Sequence, residues 1–147
     1  MHMKPEQPLL IVEDSPEDYA ATVRALTKSG VVSPLIRCED GDDALNFLYR
    51  RGRFSPPELA PRPSMILLDL NLPGTDGRQV LATVKSDESL KTIPVLVFSG
   101  SKHEEDISAC YEAGANSYIP KPLDMNELHE TMSCIRDFWF ETAMLPE

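Results

Sequence analysis

Three runs of four apolar residues, Leu9–Val12, Met65–Leu68 and Val95–Phe98, each stop at a polar residue: Glu13, Asp69 and Ser99. Short continuous apolar runs bounded by turn residues predict strands buried on both faces. Between them lie stretches of helical spacing. Ser15, with Pro16 at the first helical position and Asp18 three residues after the cap, opens a helix striped by Tyr19, Val23 and Leu26 and ended by Gly30. Pro34–Cys38 reads as a strand. Asp42 or Asp43 opens a helix with Ala44, Leu45 and Leu48 inward, closing near Gly52. Residues 52–63 carry four prolines and no period, which predicts a loop. Val80, Leu81 and Val84 mark a third helix. Ile107, Cys110 and Tyr111 mark a fourth, with Gly114 past its end. Ser117–Ile119 is a short strand, and Leu128, Met132, Ile135 and Trp139 stripe a last helix. Strand and helix alternate five times. The order predicts an α/β fold, a five-stranded doubly wound parallel sheet in the flavodoxin-like order 2-1-3-4-5.

The polar residues at the strand tips now acquire a place. In an open parallel sheet the carboxyl ends of the strands share one edge, and a crevice forms where the strand order reverses, between strands 1 and 3. Asp14 and Asp69 become neighbours there, with Glu13 close by. Three carboxylates in one cleft repel unless a cation lies among them, and a partial shell of hard oxygen donors suits Mg²⁺. Lys121, after the last strand, adds an ammonium, and Ser99 adds a hydroxyl. Together they would surround a phosphoryl group on Asp69, with room beside Gly100 for its arrival. Any one of these residues alone has a plainer reading. A lone Asp after a strand is a turn or cap residue, a lone Lys is a solvated surface group, and Tyr118 is a core aromatic. The sharper reading rests on their coincidence at adjacent tips.

With 147 residues, the chain has length for one domain, expected over residues 8–140 with a tail over 141–147 and no output domain after it. Its net charge of −10 argues against nucleic acid or an anionic membrane as partner. No apolar run approaches membrane-spanning length and no signal peptide is visible, so the expected location is cytoplasmic. Cys38, Cys110 and Cys134 form no CxxC and read as small core residues of a reducing compartment. Met1-His2-Met3 is set aside as a possible cloning remnant. His103 and His129 stand in polar surroundings and read as surface residues.

Four stretches in order, "LLIVEDSPED", "ILLDLNLPGTDG", "PVLVFSG" and "GANSYIPKP", resemble the receiver domain of two-component response regulators. The Pro-rich insert, the phrase "DLNLPGTDGRQVLATVKSDESLKTIPV" and the ending "FWFETAMLP" are similar to the single-domain regulators paired with bacterial phytochromes. The resemblance implies that Asp69 accepts a phosphoryl group from a sensor histidine kinase of phytochrome type. Asp14, Asp69 and the Asn71 backbone carbonyl would hold Mg²⁺, with Glu13 acting through water. Ser99 and Lys121 would bind phosphoryl oxygens, Tyr118 would be the aromatic that changes rotamer, and the Lys121–Pro122 bond would be cis. Ser99 stands where that family more often has Thr, and the hydroxyl is kept. The chain would be no enzyme acting on a separate substrate, but a phosphoacceptor that takes part in its own phosphorylation and slow dephosphorylation.

Other functions meet specific obstacles. An aspartate-phosphate hydrolase of the dehalogenase-like class needs a second Asp two residues after the nucleophile, and Asn71 stands there. A dinucleotide-binding domain needs a Gly-rich turn after strand 1, and this chain has Glu-Asp-Ser-Pro-Glu-Asp. A receiver-like scaffold that no longer switches would not need the complete set of acids, hydroxyl and lysine. Phe138, Trp139 and Phe140 cannot all share one face of an α-helix, which leaves two readings: packing under the tail, or an interface. The interface reading predicts a homodimer through the fourth helix, fifth strand, fifth helix and C-terminal aromatics.

Overall fold

The computed structural model describes residues 7–146. Met1-His2-Met3 and Glu147 lie outside them. The elements run β1 Leu9–Val12, α1 Pro16–Lys28, β2 Leu35–Cys38, α2 Gly41–Tyr49, β3 Met65–Leu68, α3 Gly77–Ser86, β4 Val95–Ser99, α4 Glu104–Glu112, β5 Ser117–Pro120 and α5 Met125–Ile135. The five strands are parallel and ordered β2-β1-β3-β4-β5, as the alternation predicts.

The apolar runs are continuous because each strand feeds two cores. Leu10, Val12, Ile66, Leu68, Val95 and Val97 point to one face, where Ala44 and Phe47 of α2, Val80, Leu81 and Val84 of α3, and Cys110 of α4 cover them. Leu9, Ile11, Met65, Leu67, Leu96 and Phe98 point to the other, against Ala25 and Leu26 of α1 and Leu128, Met132 and Ile135 of α5. Each fully buried leucine contributes about 2 kcal/mol of transfer free energy. A one-residue slip would exchange the two sets of side chains, so the register is held from both faces.

That register builds the functional edge. Val12 pairs with Leu68, and the ladder continues one step, with the Asp69 N–H donating to Val12 O at 3.1 Å. Glu13 and Asp69 therefore leave the sheet side by side.

Several local expectations are corrected. Asp40, not Asp42 or Asp43, caps α2: its side chain accepts the Asp43 N–H at 2.7 Å. The helix is turned so that Ala44 and Phe47 are buried while Leu45 and Leu48 lie partly exposed. In α1 the buried residues are Thr22, Ala25 and Leu26, with Tyr19 and Val23 at the margin. In α4 only Cys110 is buried, and Tyr111 is half exposed. The Pro-rich stretch contains two short 3₁₀ turns, Gly52–Phe54 and Pro57–Leu59, and it is anchored by Phe54, edge-on to Phe47 at 5.1 Å. Cys38 and Cys110 are buried as expected, but Cys134 is exposed. No described peptide bond is cis, so Lys121–Pro122 is trans, the isomer that X–Pro bonds favour.

The chain's end departs most. After Ile135 the helix widens into a π-helical segment, Arg136–Thr142, closed by the Ala143 N–H on Phe138 O, an i→i+5 bond. More residues per turn change the facing of each side chain. Trp139 and Phe140 both turn partly onto the α1/α5 core, and Phe138 alone is left largely exposed. The sequence argument about Phe138, Trp139 and Phe140 used α-helical spacing, and the π-helical turn is what lets two of the three reach the core.

Candidate functional site

Glu13 and Asp69 are buried at the tips of β1 and β3, and Asp14, the next residue on, is exposed. A carboxylate oxygen from each lies within 4.8 Å of the others. Two backbone amides orient the buried pair: Ser15 N–H donates to Glu13 Oε2 (3.2 Å) and Asn71 N–H to Asp69 Oδ1 (3.3 Å). Lys121 arrives from the end of β5, where its own N–H donates to Ser99 O at 2.7 Å. Its ammonium lies 2.7 Å from Glu13 Oε1, 3.2 Å from Asp69 Oδ2 and 3.2 Å from Asp18 Oδ2.

The electrostatics follow from that crowding. Burial would lower the Lys121 pKa, but the hydrogen bond that Lys121 donates to Glu13 and the charges of Asp69 and Glu13 outweigh it and hold the lysine above its ordinary value. Glu13 is pushed up, first by burial; Lys121 opposes the rise and Asp69 adds to it. The two directions agree once the stoichiometry is noticed. The lysine gains from several acids at once, whereas Glu13 receives a share of one ammonium. The cation expected among the acids is thus supplied in part by the protein. All the donors around the cleft are hard oxygens, two of them on buried carboxylates, which is the chemistry a small divalent ion requires.

Ser99 is fully buried, and its Oγ accepts the Ser101 N–H at 3.2 Å. From Ser101 a chain of contacts leads away from the cleft. Ser101 Oγ donates to Asp106 Oδ2 (2.6 Å), Arg78 Nη2 donates to Asp106 Oδ1 (3.0 Å), and Tyr118 Oη donates to Ser101 O (2.9 Å). Asp106 is held below the usual carboxylate range by Ser101 and Arg78. Tyr118 is half-buried against the α2–α4 core, and its N–H donates to the Tyr111 phenol. A Cβ on Gly100 would meet nothing within 4 Å, so the space expected beside it is present.

Sequence reasoning brought Glu13, Asp14, Asp69, Ser99 and Lys121 to this edge, and the structure gathers them there. Asn71, exposed, stands beside them through its amide. It missed three contributors. Asp18 was read as part of a helix cap; the Ser15 hydroxyl does accept the Asp18 N–H, but the Asp18 carboxylate turns to Lys121. Gly77 starts α3 against the main chain at Asp69, where a Cβ would lie 2.2 Å from Asp69 O. Gly41 starts α2 against the loop that follows Asp69, where a Cβ would lie 1.8 Å from Thr75 O, and Asp42 accepts a hydrogen bond from the Thr75 hydroxyl. The pair Asp76-Gly77 was the available signal for the second of these: Asp76 caps α3 in a reciprocal box with Gln79.

Comparison with known proteins gives a consistent picture. The family model described as response regulator receiver domain matches residues 9–133. Response regulator Rcp1 of Synechocystis sp. (strain ATCC 27184 / PCC 6803 / Kazusa) is 42% identical over 142 residues, 97% of this chain and 95% of the relative. Two solved structures are similar throughout. One is the phosphorylated cyanobacterial phytochrome response regulator RcpA, with TM-score 0.90, 40% identity, and 97% of this chain and 100% of that chain covered. The other is the Mn²⁺-bound form of Rcp1, with TM-score 0.88, 41% identity, and 97% and 100% covered.

Proposed function

The chain belongs to the response regulator receiver domain family, and from that premise we propose that residues 8–140 take a phosphoryl group on Asp69 from a sensor histidine kinase of phytochrome type and signal by protein contact. The observation that carries this reading is a buried Asp69 carboxylate at the tip of the central strand, 3.2 Å from the Lys121 ammonium, in a cleft shared with two further carboxylates. The phosphohistidine P–N bond would break as the bond from an Asp69 oxygen to phosphorus forms. Lys121 would shift from the acids to a phosphoryl oxygen, and the Ser99 hydroxyl would donate to another. Tyr118 is assigned as the aromatic that follows Ser99, because its phenol already holds the Ser101 carbonyl. The chain has no separate substrate; it contributes to its own phosphorylation and slow dephosphorylation.

Mg²⁺ is the ion we assign to the cluster, through Asp14, Asp69 and the Asn71 backbone carbonyl, with Glu13 acting through water. When bound, the ion would neutralise charge on the phosphoryl oxygens. Mn²⁺, named for the Rcp1 structure, favours the same oxygen donors. The dehalogenase-like alternative is not favoured, since Asn71 cannot carry the proton.

We place the protein in the cytoplasm, beside the ATP-dependent kinase it would serve; no helix among the described residues is long and apolar enough to cross a membrane. Its second partner is its own copy, through α4, β5, α5 and the C-terminal aromatics. Phe138, packed edge-on to Trp139 at 5.2 Å, and Met144 remain exposed there.

Incubation with an autophosphorylated phytochrome-type kinase tests the function. Label should move to this chain with Mg²⁺ present and stay on the kinase when EDTA is added. Transfer that ignores divalent ions would contradict the metal assignment, and no transfer from any such kinase would contradict the partner.

A further inference from the structure

Arg37 is the one charged residue in the five strands. It sits in β2 opposite Ile11 of β1, with its side chain only 20% exposed. A charge half-buried in a strand requires a reason, and its contacts supply one. Nε donates to Glu13 O at 3.1 Å, and Nη2 donates to Asp14 O at 3.1 Å. Nη1 lies 3.2 Å from Glu39 Oε1, and the guanidinium lies over the Tyr19 ring of α1, 5.0 Å from its centroid. The fork thus grips the main chain of the two consecutive residues whose carboxylates face Asp69, and it does so from behind.

We propose that Arg37 is a positioning residue for the metal site, holding the Glu13-Asp14 backbone so that both carboxylates are presented before the ion arrives. The inference rests on the reading of Glu13, Asp14 and Asp69 as a metal-binding cluster. Past Val12 the backbone parts from β3; the Glu13 N–H still donates to Cys38 O of β2 at 3.0 Å, and beyond that bond the Arg37 fork holds the Glu13 and Asp14 carbonyls. The rigid guanidinium fork matches two successive carbonyl oxygens in a way one ammonium cannot. Ordering these residues during folding removes the entropy cost of doing so from metal binding. The position of the charge matters as well. Lys121 occupies carboxylate oxygens that a metal would need, whereas Arg37 occupies only carbonyls at Glu13 and Asp14 and leaves those carboxylates open. The side chains of Glu39 and Tyr19 hold the guanidinium in turn.

The test compares the wild type with Arg37→Lys and Arg37→Gln. Mg²⁺ affinity is measured by amide shifts of residues 13–15 and 69–71, and the rate of labelling by acetyl phosphate is followed against Mg²⁺ concentration. Both variants should raise the Mg²⁺ dissociation constant about tenfold, the size expected when a group behind a metal ligand is lost. The Mg²⁺ concentration for half-maximal labelling should rise in parallel, while the rate at saturating Mg²⁺ stays within about twofold. A purely structural role would lower the melting temperature and leave the affinity of the folded protein unchanged. Unchanged affinity in Arg37→Lys overturns the inference even where Arg37→Gln fails to fold, and so does a loss confined to the saturating rate. A wild type that binds no Mg²⁺ overturns the reading of the cluster, and this inference with it.

Discussion

Lys121 serves three carboxylates with one ammonium, and that ratio explains the cleft's readiness for more positive charge. Glu13, Asp14, Asp69 and Lys121 were legible in the sequence because each lies just past the end of a strand, and parallel strands bring such tips together. Asp18 and Arg37 were not. A carboxylate in a first helical turn and a lone charge in a strand each have an ordinary local role, and only three-dimensional proximity reveals the other one. Gly77 is of the same kind. A methyl group there would lie 2.2 Å from Asp69 O and 2.6 Å from Leu70 Cα, both backbone atoms that no rotamer change can move. Gly77→Ala should therefore destabilise the fold by about 1–3 kcal/mol in urea unfolding, the usual cost of overpacking. The same shift of Asp69 should slow its labelling by acetyl phosphate by at least about tenfold. Wild-type stability and rate in that variant would show that the α3 start does not bear on Asp69.

Among the elements, the strands were read almost to the residue and the helical faces were not, for a physical reason. A run buried on both sides leaves no facing to misjudge. The α2 stripe was turned because Phe47 is drawn inward by Phe54 from the Pro-rich loop, a partner that no period discloses. The π-helical segment escaped because its spacing is not that of the helix it extends. The junction between α2 and the end of α3 carries a measurable titration. Asp87 is held at about 2, first by the Ser89 hydroxyl, then by the Tyr49 phenol at 2.5 Å. A carboxyl depressed in the folded state stabilises it above the unfolded value near 3.8, and that stabilisation fades as pH falls toward about 2. Tyr49→Phe removes one donor and keeps Ser89, so Asp87 should titrate at higher pH than in the wild type while remaining below an ordinary aspartate. Carboxyl carbon shifts followed from pH 6 to about 1.5 would register the move. An unshifted Asp87 would mean that the phenol contributes nothing.

At the scale of the whole molecule, the doubly wound sheet separates two tasks. The carboxyl edge collects the acids and Lys121, and in the proposed reading the flanking helices would meet partners. Of the seven large apolar side chains exposed among the described residues, Tyr111, Leu123 and Met125 belong to α4 and the start of α5, and Phe138 and Met144 to the C-terminal region. If that region meets its own copy, Phe138→Ser should shift the species at about 100 μM from dimer toward monomer in light scattering, and Phe140→Ser should act mainly by loosening the α1/α5 core. A monomeric wild type would remove the homodimer from the account. The identity of the carboxylate that receives the phosphoryl group matters most, and intact mass measures it directly. After incubation with acetyl phosphate and Mg²⁺, the wild type should gain one phosphoryl mass and Asp69→Asn none, since the amide keeps the shape of the side chain and loses its nucleophile. A phosphoryl adduct on Asp69→Asn at the wild-type rate would contradict the account.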